Sequence, residues 1–105
     1  MRFAIKTRPE HTTWAQTREV WLAADKISLF ESGWNWDHFY PLSGDLTGPN
    51  LEGWTMLAAL AQATSRIRTA AAYRDASADL AIMNLPHGAG PDILTSLADA
   101  LSPLA

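Results

Sequence analysis

The sequence contains no cysteine. Disulfides, thiolate metal sites and thiol catalysis are therefore excluded. It also lacks any apolar run of about 18 residues, so no membrane span is expected. Only 18% of its 105 residues are charged and the net charge is −3, which argues against nucleic acid as a partner. No polybasic or acidic tail is present. Five of the eight basic residues fall in the first 26 positions (Arg2, Lys6, Arg8, Arg18, Lys26), while residues 75–105 carry four aspartates and no Lys or Arg. The chain starts Met-Arg-Phe and runs directly into a strand pattern, so no signal peptide is expected and a cytoplasmic location is the default. The glycines at 44, 48, 88 and 90 fit neither a phosphate loop nor a dinucleotide fingerprint.

What is present is a globular composition, with 48% hydrophobic residues. The length suits one domain spanning residues 1–105, small enough to be marginally stable alone. Residues 2–6 alternate, with Phe3 and Ile5 on one side and Ala4 and Lys6 on the other, which predicts a strand. Thr13 and Gln16 have capping-box spacing, predicting a helix over 13–26. Trp14, Trp21 and Ala24 then share its inner face, and Arg18 and Asp25 point to solvent. Residues 31–36 form the second strand candidate. A loop rich in Gly, Ser, Asp and Asn follows over 43–50, and Asn50 is a candidate cap for a second helix ending near Ser65, with Glu52 at its positive end.

Residues 66–79 admit two readings: a short strand at Ile67–Ala70, or alanine-rich helix. Residues 80–85 are apolar on both faces, as in a strand buried in a parallel sheet. Pro91 suits the start of a last helix lined by Leu94, Leu97 and Leu101, which should stop before Pro103. Strands alternating with three main helices predict an α/β fold with parallel strands.

Chemistry-bearing residues gather beyond the strand ends, where ligands bind in parallel α/β folds. His11, His38 and His87 each follow a predicted strand. Their spacing is not a metal signature, and local capping or hydrogen bonding is the reading for loop histidines. The segment GWNWDHFYP (33–41) packs four aromatic rings, Asp37 and His38 into nine residues. Strand alternation sends Trp34 and Trp36 one way and Asn35 and Asp37 the other. Two readings stand: a flat pocket for an aromatic ring system with a proton handler, or an aromatic core or interface patch beside a capped loop. Glu10 and His11 are a weaker acid–base candidate, with an exposed loop pair as the alternative. Arg66 and Arg68 read as surface residues.

LFESGWNWDHFYP (29–41) followed by GPNLEGWTMLAALAQATSRIR (48–68) resembles the N-terminal part of luciferase-like monooxygenases, in particular the flavin- and deazaflavin-dependent oxidoreductase branch. RFAIKTRPEHTTW (2–14) is similar to that family's first strand and loop, and ADLAIMNLP (78–86) to its last strand. The resemblance implies a (β/α)8, or TIM, barrel, which needs about 250 residues. A chain of 105 residues then corresponds to a partial, internally truncated barrel joining the first two or three βα units to the eighth. It further implies a deazaflavin coenzyme or FMN as cofactor. His38 would orient or protonate near the coenzyme ring, Asp37 would position it, and Trp36, Glu10 and His11 would wall the pocket; no metal is implied. A four-stranded piece has two open edges that invite pairing with a second copy. Self-association into a homodimer or higher oligomer is therefore expected. The alternative is a non-catalytic barrel remnant acting as a self-associating or small-ligand-binding module.

Overall fold

A computed structural model describes residues 2–71, 80–85 and 88–104. Strand β1 (Arg2–Thr7) leads to helix α1 (Trp14–Lys26), strand β2 (Phe30–Asn35), helix α2 (Gly53–Ala63) and strand β3 (Arg68–Ala71). Strand β4 (Leu80–Asn84) and helix α3 (Asp92–Leu101) follow, closed by a 3-10 turn over Ser102–Leu104 that contains Pro103. The sheet order is β3-β2-β1-β4 and every pairing is parallel. The α/β class with parallel strands and three helices is thus present. Barrel closure is not: among the described residues β3 and β4 are edge strands. The ambiguity over 66–79 resolves to a strand at Arg68–Ala71, and the rest of that segment, 72–79, lies outside the described residues.

The core lies between the sheet and the helices. Phe3 and Ile5 from β1, Phe30 from β2, Trp21 and Ala24 from α1, Leu60 from α2 and Leu94 from α3 are essentially inaccessible. Burial of this apolar surface supplies the main driving force for the fold. Trp21 lies against Gly33, and a Cβ there would come within 2.6 Å of Trp21 Cη2 and 2.9 Å of Cε3. The absence of a side chain at 33 is what lets the indole reach the sheet. Its Nε1–H donates to the Thr7 hydroxyl at 3.0 Å inside the core. Trp14 departs from the predicted inner face and is 38% exposed, because it sits in the first turn, beyond the sheet's cover.

Local signals explain one helix start and mislead at another. Thr13 caps α1 as expected: its hydroxyl accepts from Gln16 N–H at 3.2 Å, and the Gln16 side chain accepts from Thr13 N–H at 3.0 Å. Asn50, the expected cap of α2, instead donates to the carbonyls of His38 and Leu51. Glu52 is the cap, its carboxylate accepting from Trp54 and Thr55 N–H at 3.1 and 2.7 Å. The Thr55 hydroxyl first, then those two backbone N–H groups, hold the Glu52 carboxyl below its ordinary pKa. A carboxylate offers two acceptor oxygens where an amide offers one, and the helix dipole favours its charge.

Asp25 and Arg66, both read as solvent-facing, lock two turns together. The Asp25 carboxylate accepts from the N–H groups of Ser65, Arg66 and Ile67 at 2.7–3.0 Å. In return the Arg66 guanidinium donates to the carbonyls of Asp25, Ala24 and Ile27 at the end of α1. Burial pushes the Asp25 pKa up, but the three backbone donors and the Ser65 hydroxyl outweigh it and bring it down to about 2. Arg68 is likewise spoken for. Phe3 pairs Phe30 and Ala4 pairs Ser32, so Glu31 is the extra residue of a bulge. Its carboxylate accepts from Arg2 Nε at 2.8 Å and Arg68 Nη2 at 3.3 Å.

Candidate functional site

In a parallel pair, register partners project to the same face. Ile5 and Gly33 are partners on the helix-covered face. Lys6 and Trp34, one residue on, are partners on the opposite face, which none of the three helices covers. Trp34 donates its Nε1–H to the Ser32 hydroxyl on that face at 3.0 Å. Thr7 and Asn35 return to the helix side, where Asn35 is fully buried.

Trp36 follows the carboxyl end of β2 and forms the hub of the open face. Lys6 Nζ lies 4.6 Å and Arg8 Cζ 5.4 Å from its ring centroid, both within cation–π range. The His38 ring meets it edge-on at 4.7 Å. Trp36 Nε1, His38 Nε2 and Arg8 Nε are all buried without a hydrogen-bond partner among the described residues. Native structures leave few such atoms, so a cluster of three demands an explanation. The His38 backbone is fixed by Asn50, whose amide donates to its carbonyl at 2.8 Å. Asp37 is half-buried beside Gly53, where a Cβ would lie 3.0 Å from Asp37 Cα.

Glu10 and His11 occupy a different place. They line a cleft of about 310 Å³ between the first turns of α1 and the 88–91 turn before α3, with Thr7, Arg8, Thr17 and Leu85. Trp36, Asp37 and His38 are not on its walls; among the described residues Arg8 alone touches both the cleft and the Trp36 ring. Glu10 is not an exposed loop residue but 3% accessible. Its carboxylate accepts from Leu42 N–H at 2.6 Å and the Ser43 hydroxyl at 2.9 Å. Burial pushes its pKa up, yet the donors from Leu42 and Ser43 and the Arg8 charge bring it below the ordinary value. It is a fixed anion that ties the 41–43 loop to β1.

His11 has a left-handed backbone (φ 51°), the only non-glycine so disposed among the described residues. Its Nε2 lies 2.8 Å from the Ser43 carbonyl, and Gly48 leaves room for its ring. Both residues therefore build the loop that carries the 36–41 segment. His87, the third histidine of the expected rim, lies outside the described residues. Among the described residues no group of three His, Asp or Glu side chains is arranged to hold a metal. No helix there is long and apolar enough to cross a membrane.

Sequence reasoning missed Lys6 and Arg8 as site residues. Lys6 was visible in the alternation of β1 and Arg8 in the loop after it, but their approach to Trp36 depends on which strands are neighbours.

No protein-family model matches the chain, and no curated protein matches it. Among solved structures it is similar to an F420-dependent secondary alcohol dehydrogenase in complex with an F420–acetone adduct. The TM-score is 0.56 and the identity 25%, over 70% of this chain and 22% of that one. The chain therefore spans about a fifth of the length of that enzyme, and its βα arrangement has the fold of part of a deazaflavin-dependent oxidoreductase.

Proposed function

We propose that this chain carries part of a deazaflavin-dependent oxidoreductase site, built at the carboxyl end of β1 and β2 on the open face of the sheet. The observation that carries the reading is the Trp36–His38 pair: an aromatic wall and an imidazole whose Nε2 has no hydrogen-bond partner among the described residues. The likeness to an F420-dependent alcohol dehydrogenase supports the same reading. The residues fit a flat, polar-edged ring system, because Trp36 presents an aromatic surface and both Trp36 Nε1 and His38 Nε2 lack a hydrogen-bond partner. A bound deazaflavin supplies hydride transfer at its ring carbon; FMN is the alternative coenzyme that the sequence resemblance allows.

The protein's own contribution is positioning and proton handling. His38, held at its carbonyl by Asn50, keeps one ring nitrogen available to hold or move a proton at a substrate oxygen. Asp37, next in sequence, adds a carboxylate beside it that makes no ion pair with any described residue. Trp36 excludes water from one side. Glu10 and His11 act on the site through the loop they anchor. Full enclosure of a coenzyme needs more strands than four, and β3 and β4 present the edges on which they would add.

The test is a spectral titration of the protein with F420 and with FMN. Saturable perturbation of the F420 spectrum is expected, lost in His38→Ala with circular dichroism unchanged. No perturbation at any attainable concentration would contradict the reading. It would favour the second one, a non-catalytic module that pairs with itself through those edges. A monomeric mass by light scattering at micromolar concentration would remove the self-pairing.

A further inference from the structure

The open face holds more positive charge around Trp36 than the oxidoreductase reading uses. Lys6 near the end of β1 and Arg8 just past it both reach the same indole. Two cations gathered on one ring leave a local positive charge that a nearby anion would offset. The protein supplies little. Lys6 makes no ion pair with any described residue. Arg8 Nη1 meets Glu10 Oε1 only at 3.5 Å, and that carboxylate is already engaged with Leu42 and Ser43. The other cations of the face are spent: Arg2 and Arg68 both bond Glu31.

Hydrogen-bond chemistry points the same way. Arg8 Nε and Trp36 Nε1 are donors only, and both are buried without an acceptor among the described residues. Arg8 is nonetheless 37% exposed as a side chain, so the guanidinium remains reachable from solvent. A ligand suited to this cluster brings acceptor oxygens, negative charge and no hydrogens of its own.

We propose that Lys6, Arg8 and Trp36 form an oxyanion subsite at the carboxyl end of β1, taking the carboxylate or phosphate group of a small molecule. The guanidinium gives the forked contact that such groups favour, Lys6 adds a point charge, and the indole N–H completes the donor set. The subsite shares Trp36 with the proposed coenzyme face, but Lys6 and Arg8 belong to it alone, and binding of a small anion does not require the coenzyme.

The experiment is a titration of the isotope-labelled chain with inorganic phosphate and, separately, acetate, at constant ionic strength set by chloride. The readout is the indole N–H resonance of Trp36. A saturable shift is expected with one or both anions, with a dissociation constant in the range of roughly 1–50 mM. Phosphate alone assigns the ligand as a phosphate ester, acetate alone as a carboxylate. Lys6→Ala and Arg8→Ala should each weaken binding about tenfold, equivalent to one lost charged contact. Lys6→Arg should retain it, and Arg68→Ala should leave it unchanged. Three results would overturn the proposal. One is a shift that never saturates. A second is equal weakening by Arg68→Ala, which indicates only a diffuse field. The third is binding lost in Arg8→Ala but intact in Lys6→Ala, which moves the anion to the cleft between α1 and α3 that Arg8 also lines.

Discussion

The two faces of one sheet, a single residue apart in register, are finished to different degrees. On the covered face Ile5 meets Gly33, Trp21 fills the space above them, and its one polar atom is bonded to Thr7. On the open face Lys6 meets Trp34, and the neighbouring Trp36, His38 and Arg8 keep buried polar atoms without partners. Asn35 apart, packing and hydrogen-bond satisfaction travel together on the first face and part on the second. Stability resides on the closely packed face, and binding capacity where polar groups beside an open surface are left unmatched.

The largest effect should come from Gly33→Ala. A methyl group there collides with the Trp21 ring, which has a buried hydrogen bond to keep. Overpacking of this kind should cost about 3 kcal/mol and lower the melting temperature by roughly 12–20 °C. Trp34→Ala, one residue along and on the other face, should cost less than about 1 kcal/mol. A comparable loss in both variants would erase the distinction between the faces.

Asp25→Ala comes next, because the carboxylate serves three backbone donors. A loss of about 2 kcal/mol is expected in chemical denaturation at neutral pH. The acid limb sharpens this. The folded-state pKa of about 2 lies below the ordinary 3.8, so the stabilisation is present in full above about pH 4 and drains away as the pH falls toward 2. The variant should lack that share of the acid-induced loss. An unchanged acid profile would mean that Asp25 is not the responsible carboxylate.

Asn35 is the exception on the covered face, fully buried with both amide atoms unpartnered. Asn35→Leu, similar in volume, should therefore stabilise by about 1 kcal/mol in the same denaturation assay. Destabilisation would show that the amide is bonded in solution. The smallest effect is Lys6→Ala, expected within about 0.5 kcal/mol of the parent, since a cation held for a ligand contributes little to the fold.

How much of this was visible beforehand follows the range of each interaction. The α1 capping box was legible because Thr13 and Gln16 are three residues apart. The alternation of Phe3 and Ile5 and the parallel character of residues 80–85 were legible for the same reason. Asn50 misled, because amide and carboxylate two residues apart both suit a helix start and only the loop's path chooses between them. The Asp25–Arg66 lock spans about 40 residues and leaves no local trace. Residues 36–38 stood out in the sequence as aromatic, acidic and basic in one place. Their partners Lys6 and Arg8 did not, since a lysine near a strand end and an arginine just past it read as solvated until the neighbouring strand is known. Glu10 and His11 were noticed for their chemistry, whereas burial and a left-handed turn commit them to the loop.

The most direct test of the central claim, that ligands bind on the unfinished face, is a two-dimensional amide and indole NMR titration of the labelled chain with F420. The account predicts saturable shifts confined to residues 6–8 and 34–38, with the Trp36 indole N–H among the largest. Shifts confined to residues 16–20 and 88–91, around the cleft, or no shifts at all, would contradict it.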